Sequence, residues 1–192
     1  MSDIQGNSPR VIFVGDSGVG KTSIIHYMKF GSFDSHSLPT VGAGWTSMEC
    51  SFQNKKIEYQ LWDTAGQEIY RSLVPIYFKN AIGAIICFSL TDAVSFQSLQ
   101  SWVDQCLSYT ANPVKICIVG NKIDSTSAVV DELNARNWAQ EHGFDIHFTS
   151  AFTGQNVDML STYIAHEIVI PSFTNSASNR TKNMTSSKRD CC

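Results

Sequence analysis

The sequence contains no long apolar run. None of its stretches approaches the roughly 18 consecutive apolar residues that indicate a membrane-spanning helix. Residues 1–10 are polar and hold no apolar signal segment. Ser2 follows the initiator methionine, so the glycine that N-myristoylation requires is absent. These absences predict a chain without a membrane span, a secretion signal or an N-terminal lipid.

An excess of positive charge is also absent. Charged residues make up 16% of the 192 residues, and the net charge is −3. A broad nucleic-acid-binding surface requires an excess of lysine and arginine, so we expect no nucleic-acid partner. The hydrophobic content of 43% is ordinary for a globular protein, and the length fits one domain with a tail.

The cysteines lack the spacing of metal ligands. Cys50, Cys87, Cys106 and Cys117 are scattered through predicted strands and a helix, where we expect them to act as small core hydrophobes in a reducing cytosol. The adjacent pair at 191–192 differs, because it ends a polar segment with no apolar surroundings.

A phosphate-binding loop is the strongest pattern present. Residues 15–22 match G-x-x-x-x-G-K-[ST], and an apolar strand and a predicted helix flank them. Glycines let the backbone approach a ligand, and successive N–H groups then form an anion nest at the helix N-terminus. Lys21 is predicted to reach the β- and γ-phosphates, and the Thr22 hydroxyl to coordinate Mg²⁺. The predicted contacts are Asp16, Ser17, Gly18, Val19, Gly20, Lys21, Thr22 and Ser23.

Strand and helix patterns alternate along the chain. The predicted strands are residues 11–14, 46–52, 57–62, 81–90, 116–119 and 146–148, with a hairpin turn at 53–56 and a loop at 31–45. The predicted helices are 22–30, one capped by Ser95, 130–142 ended by Gly143, and one capped by Asn156 and ended by Pro171. The second has an inner face of Phe96, Leu99, Trp102, Val103, Cys106 and Leu107, and the last has one of Val157, Leu160, Ile164 and Ile168. This alternation predicts an α/β fold with a largely parallel sheet, whose ligand lies at the carboxyl ends of the strands.

Asn121-Lys122-Ile123-Asp124 follows a buried strand and matches the guanine-recognition pattern N-K-x-D. The Asp124 carboxylate would accept from two guanine donors at once, a match that adenine cannot make. Lys122 would cover the base, and Asn121 would tie this loop to the phosphate loop. Residues 149–151 follow the next strand, and there Ser150 and the N–H of Ala151 would meet the guanine.

The segment 63–68, Asp-Thr-Ala-Gly-Gln-Glu, completes the set. Asp63 would hold Mg²⁺ through water, and Thr40 would add its hydroxyl when GTP is bound. The Gly66 N–H would bond the γ-phosphate, so hydrolysis would release the loop. Gln67 is the predicted catalytic residue, because it would orient the attacking water.

With these loops in place, residues 9–170 resemble the Ras superfamily of small GTPases, and a divergent Rab in particular. The Rab-like segments are 15–22, Pro-Thr-Val-Gly at 39–42, Trp-Asp-Thr-Ala-Gly-Gln-Glu at 62–68, Tyr-Phe-Lys-Asn-Ala at 77–81 and the terminal Cys-Cys. There is no room for the Rho helical insertion, no cysteine at 189 for Ras-type farnesylation, no Ran-type acidic tail and no Arf-type N-terminal helix.

The resemblance implies a P-loop small GTPase fold, with a six-stranded mostly parallel sheet flanked by five helices. It implies a monomeric switch of membrane traffic that binds Mg²⁺ with GDP or GTP and cycles between the cytosol and the cytoplasmic face of intracellular membranes. Phe33 would pack on the guanine edge, and Trp45, Trp62 and Tyr77 would form the effector-reading patch. Cys191 and Cys192 would be geranylgeranylated.

The implied partners are an exchange factor, a GTPase-activating protein, effectors that read both switch segments, a prenylation escort and a GDP-dissociation inhibitor. Residues 1–8 would be a short extension, 9–170 the GTP-binding domain, and 171–192 a disordered tail.

The sequence departs from the usual Rab pattern at Ala43-Gly44-Trp45, Ile69-Tyr70, Ser89 and Phe152, the last replacing a lysine. Two alternatives to a hydrolysing switch stay open. A metabolic P-loop enzyme such as a nucleotide kinase would need a lid and an acceptor site, and N-K-x-D argues against it. A GTP-locked scaffold would not turn over, but Gln67, Thr40 and Asp63 are retained.

Overall fold

The computed structural model describes residues 8–36, 38–65, 78, 80–110 and 114–174. Within these residues, six strands form one sheet in the order β2-β3-β1-β4-β5-β6. The strands are β1 (Arg10–Val14), β2 (Ala43–Phe52), β3 (Lys55–Thr64), β4 (Ala81–Ser89), β5 (Lys115–Asn121) and β6 (Asp145–Thr149). The α-helices are α1 (Lys21–Phe30), α2 (Ala93–Gln97), α3 (Leu99–Tyr109), α4 (Glu132–Glu141) and α5 (Val157–Tyr163), and a π-helical segment, Ile164–Val169, follows.

The predicted hairpin is confirmed with a tighter turn. β2 and β3 are antiparallel, and Phe52 pairs directly with Lys55. The turn is therefore Gln53-Asn54, where both residues have positive φ (48° and 61°), as a two-residue type I′ turn requires. Both strands are longer than predicted, so β2 includes residues 43–45 that we expected in a loop.

The remaining strand pairs, β3-β1, β1-β4, β4-β5 and β5-β6, are parallel, which confirms the predicted α/β class. Two apolar clusters pack on the sheet, and they account for its long buried runs. Parallel pairing places the carboxyl ends of β1, β3, β5 and β6 at one edge, and each predicted ligand loop follows one of those ends.

The single helix predicted to begin at Ser95 is two helices. Asp92 is the N-cap of α2, since its carboxylate accepts from the N–H groups of Val94 and Ser95. The Ser95 hydroxyl is buried in the turn instead, where it donates to Asp92 O and accepts from Ser89 N. Leu107, expected on the inner face, is 59% exposed.

The later helix ends also differ from prediction. Helix α4 begins after an Asp131 cap, two residues beyond the predicted start, and ends just before Gly143. Asn156 precedes α5 without capping it, because its side-chain amide donates to Phe148 O. Helical residues continue to 174, so the helix end predicted at Pro171 is wrong; a proline fixes a helical φ and removes only its own donor.

The predicted inner face of the last helix is confirmed, as Val157, Leu160, Ile164 and Ile168 are buried. Cys87, Cys106 and Cys117 are buried free thiols, and Cys50 is partly buried. Burial raises the pKa of Cys87 to about 12, so it stays a neutral core residue. None of the described helices combines the length and hydropathy that a bilayer span needs.

Candidate nucleotide-binding site

The phosphate loop connects β1 to α1. Gly15 (φ 135°), Gly18 (φ 76°) and Gly20 (φ 100°) all have positive φ. A Cβ at Gly15 would lie 2.1 Å from the carbonyl oxygen of Cys87, so strand β4 leaves room for glycine alone there. The loop is thus pressed against the sheet, as a backbone anion nest requires.

Lys21 lies inside this loop and is only 5% exposed. Its ammonium donates to the backbone oxygens of Gly15 (2.8 Å) and Asp16 (2.9 Å). Burial lowers the pKa of Lys21, and the charges of Asp63 and Asp16 oppose that shift. The ammonium is therefore fixed beside the nest, where an anionic ligand would offset the cost of burying it.

The side chain of Asn121 joins three loops. Its Nδ2 donates to Val19 O in the phosphate loop (2.9 Å), as predicted. Its Oδ1 accepts from Thr149 Oγ1 (3.2 Å) and from the N–H of Ala151 (3.1 Å). We call these three bonds the asparagine brace. The Ala151 N–H, which we expected to meet the guanine, already donates to the Asn121 side chain. A bound guanine would have to share this donor.

The brace lies beside a cavity of about 570 Å³. Asp124 and Lys122 line it, and Lys122 has a left-handed φ of 68°. The other lining residues are Gly18, Gly20, Ser23, Phe33, Thr91, Asn121, Ser125, Ser127, Ala151 and Phe152. The base-recognition loop, the phosphate loop and Phe33 therefore face one space, as predicted.

A second cavity, of about 280 Å³, lies along the phosphate loop and the segment that carries Thr40. Here Asp63 Oδ2 accepts from the hydroxyls of Thr22 (2.7 Å) and Thr40 (2.9 Å), which are 2.8 Å apart. Asp63 Oδ1 is buried and has no hydrogen-bond partner among the described residues. The three residues predicted to hold Mg²⁺ are therefore brought together.

These oxygens fit Mg²⁺. The ion prefers oxygen ligands and takes few from protein, with water and phosphate completing its shell. One carboxylate with an unsatisfied oxygen and two hydroxyls meet that need. In the described ranges no cluster of three or more histidine, cysteine, aspartate or glutamate side chains could hold a metal, so a site built wholly from such ligands is absent there.

Some predicted ligand residues have other contacts. Asp16, Val19 and Ser150 are not among the residues that line the two cavities. The Asp16 carboxylate accepts from the indole N–H of Trp102 on α3 (2.9 Å). Ser150 is fully buried and its hydroxyl accepts from Thr153 N. Ser17 and Ser23, by contrast, line the smaller cavity.

Gly66, Gln67, Tyr77, Cys191 and Cys192 lie outside the described residues. Of the predicted effector patch, Trp45 is 56% exposed and pairs with Trp62 across β2 and β3. The Arg10 guanidinium lies 4.7 Å from the Trp62 ring centroid, a cation–π contact that sequence analysis missed.

Two further contacts were also missed. Trp102 was predicted only as a core residue, which it is, but its bond to Asp16 joins α3 to the phosphate loop. Phe152 was singled out only as a departure from the Rab pattern, and the structure places its ring against Phe33 at the cavity rim. Neither contact has a signal in local sequence, since each joins residues far apart in the chain.

A glycine-rich phosphate loop braced to an N-K-x-D loop at the carboxyl edge of a parallel sheet defines a P-loop nucleotide-binding protein of the GTPase class. The Ras family model matches residues 10–170. The chain is 37% identical to Ras-related protein Rab-26 of Mus musculus over 161 residues, which cover 83% of this chain and 62% of that protein. It is 31% identical to Ras-related protein Rab-13 of Bos taurus over 183 residues, which cover 95% of this chain and 90% of that protein.

The chain therefore belongs to the Ras family and is a Rab-type small GTPase. It spans less than two thirds of the length of the Rab-26 proteins that it matches.

Proposed function

We propose that this protein is a GDP/GTP-regulated switch of intracellular membrane traffic that binds guanine nucleotide with Mg²⁺ and hydrolyses GTP slowly. The asparagine brace is the observation that carries the proposal. It fixes the phosphate loop and the N-K-x-D loop to each other. Asp124 lines the larger cavity and Lys21 the smaller one, so one ligand that fills both cavities would meet a carboxylate at one end and an ammonium at the other. A nucleotide has that shape, with an anionic end and a base.

Base selection rests on Asp124. Its carboxylate accepts from two guanine donors, whereas adenine would leave it partly unpaired at a cost of about 1–3 kcal/mol. Asp124→Asn should shift preference toward xanthine nucleotides, and exposed Asp158→Asn is the matched control outside both cavities. Competition of unlabelled GTP, ATP and xanthosine triphosphate against bound fluorescent GDP measures this. Equal competition by ATP and GTP in the wild type would overturn the proposal.

The metal would be held by Thr22 and Thr40 directly and by Asp63 through water. When bound, Mg²⁺ would neutralise phosphate charge as it builds up during transfer. The Asp63 carboxylate accepts from both hydroxyls and holds them together, and Thr22 and Thr40 line the smaller cavity. In the wild type, added Mg²⁺ should slow the release of GDP, and Asp63→Asn should weaken this effect. The release rate of GDP-loaded protein in EDTA, without free Mg²⁺, is the reference for both proteins. A release rate that responds to Mg²⁺ as in the wild type would remove Asp63 from the site.

Hydrolysis is assigned to Gln67, which would orient the attacking water. We expect an intrinsic hydrolysis rate on the order of 10⁻⁴–10⁻³ s⁻¹, because the chain would lack a catalytic arginine of its own. An activating protein would supply that arginine. Gln67→Leu should abolish single-turnover hydrolysis, while Gln140→Leu on exposed α4 should not. GTP that stays intact in the wild type would instead favour the GTP-locked scaffold.

Loss of the γ-phosphate would release Thr40 and Gly66, and effectors would read that change at Trp45, Trp62 and Tyr77. An exchange factor would reload GTP. A prenylation escort and a GDP-dissociation inhibitor would carry the chain between membrane and cytosol.

Membrane attachment is assigned to Cys191 and Cys192. Two prenyl chains anchor stably where one binds only reversibly, and residues 171–192 add four basic side chains against one acidic. The Cys191→Ser, Cys192→Ser double variant should become cytosolic in cell fractionation and still bind GDP. Cys50→Ser is the control for losing a cysteine elsewhere. Membrane retention of the double variant would refute the anchor.

A further inference from the structure

Two phenylalanine rings meet at the rim of the larger cavity. Phe33 follows α1, and Phe152 follows β6. Their ring centroids are 5.3 Å apart with an interplanar angle of 77°, an edge-to-face pair. They are nonetheless 38% and 65% exposed. Both rings are thus partly accessible and line the same cavity as Asp124 and Lys122.

The pair joins two walls of the site. Phe152 lines only the cavity that holds Asp124 and Lys122, whereas Phe33 lines that cavity and also the smaller one beside Thr40. The contact therefore bridges the base-recognition wall and the chain segment that leads to the proposed metal-binding hydroxyl. A ligand that occupies both cavities would contact Phe33 in each of them and Phe152 in the larger one.

We infer that Phe33 and Phe152 form an aromatic clasp that closes over a bound guanine nucleotide and slows its release. The inference rests on the proposed function and deepens it, since it assigns Phe152 as a positioning residue for the base. The rings offer apolar faces and edges to a purine and its ribose, where a lysine at 152 would offer only a flexible cation. Release requires the two walls to part, so the ring contact is broken before the nucleotide leaves.

The magnitude follows from the geometry. An edge-to-face aromatic pair contributes enough to change a dissociation rate by about 2- to 10-fold. Phe152→Ala should therefore accelerate GDP release by that factor, and Phe152→Lys, the usual Rab residue, should do the same. Phe152→Tyr keeps the ring and should release GDP like the wild type. Phe152→Leu keeps the apolar volume without the ring and should behave like Phe152→Ala.

The experiment measures release of radiolabelled GDP into excess unlabelled GDP from the full chain, at fixed excess Mg²⁺. Phe30→Ala is the matched control, because Phe30 is 67% exposed, contacts His26 and lines neither cavity. Phe33→Ala and the Phe33→Ala, Phe152→Ala double variant complete a double-mutant cycle. Ring-to-ring nuclear Overhauser effects in phenylalanine-labelled, GDP-loaded protein report the contact without any release measurement.

The clasp predicts faster GDP release in Phe152→Ala and Phe152→Leu, and a wild-type release rate in Phe152→Tyr and in Phe30→Ala. In the Phe33→Ala background, Phe152→Ala should not accelerate GDP release any further. Two results would overturn it: unchanged release in Phe152→Ala, or effects of the two alanine variants that multiply independently. Both results leave guanine binding itself intact. A wild-type chain that holds no guanine nucleotide would instead refute the proposed function, and the clasp with it.

Discussion

The asparagine brace gives the sharpest prediction for stability. Asn121 is 2% exposed and makes three hydrogen bonds, one of 2.9 Å to Val19 and longer ones of 3.2 Å to Thr149 and 3.1 Å to Ala151. Asn121→Ala leaves all three buried partners without that bond. Each such loss costs about 1–3 kcal/mol, and because two bonds are long we expect about 3–5 kcal/mol in total. That is a large part of the roughly 5–15 kcal/mol that stabilises a domain.

The assay is urea unfolding at one fixed excess of GDP and Mg²⁺, because ligand binding itself shifts stability. Thr149→Val removes one of the three bonds with little change of shape and should cost about 1 kcal/mol. Asn137→Ala, on the exposed face of α4, is the matched control and should stay within about 0.5 kcal/mol of wild type. GDP release should quicken in the order control, Thr149→Val, Asn121→Ala. If Asn121→Ala unfolds within about 1 kcal/mol of wild type, the brace does not join the loops.

Three further predictions follow from single contacts. Gly20→Ala should lower the affinity for GDP at least as much as Asn121→Ala does. Gly20 has a φ of 100°, and the new Cβ would lie 2.2 Å from Nδ2 of Asn121. A wild-type affinity in equilibrium dialysis would contradict this. Trp102→Phe keeps an aromatic ring but removes the donor to Asp16, which should cost about 2 kcal/mol in urea unfolding and nothing more in an Asp16→Ala background. The hydrogen bond from Lys115 lowers the pKa of Asp145, so its stabilisation is present above the ordinary value of 3.8 and is lost as the pH falls through the folded-state pKa. Because this pair is half exposed, Asp145→Asn should cost under about 1 kcal/mol at pH 7, and a cost that grows in acid would reverse the assigned sign.

Sequence predicted best where one pattern has one physical solution. The glycines at 15, 18 and 20 have positive φ, which glycine adopts at little cost. The hairpin was predicted as well, but its turn was placed at 53–56 and not at Gln53-Asn54, since glutamine does not favour positive φ. The tie between Asn121 and the phosphate loop was also predictable, because both loops follow parallel strands whose carboxyl ends lie at one edge.

Sequence failed where two local solutions compete or where the contact is not local. Asp92 and Ser95 are both good N-cap residues. The buried N–H of Ser89, six residues earlier, donates to the Ser95 hydroxyl, and the Asp92 carboxylate caps the helix instead. The contact of Phe33 with Phe152 could not be predicted either, since both side chains are exposed and follow no helical or strand period.

The brace also bears on how the protein is made. Asn121 lies 102 residues along the chain from Val19, and Ala151 lies further still. When only the residues up to the end of β4 have left the ribosome, the nascent chain contains the whole phosphate loop. It does not yet contain Asn121 or the base-recognition loop. The site that we propose for nucleotide is therefore complete only once β6 has emerged.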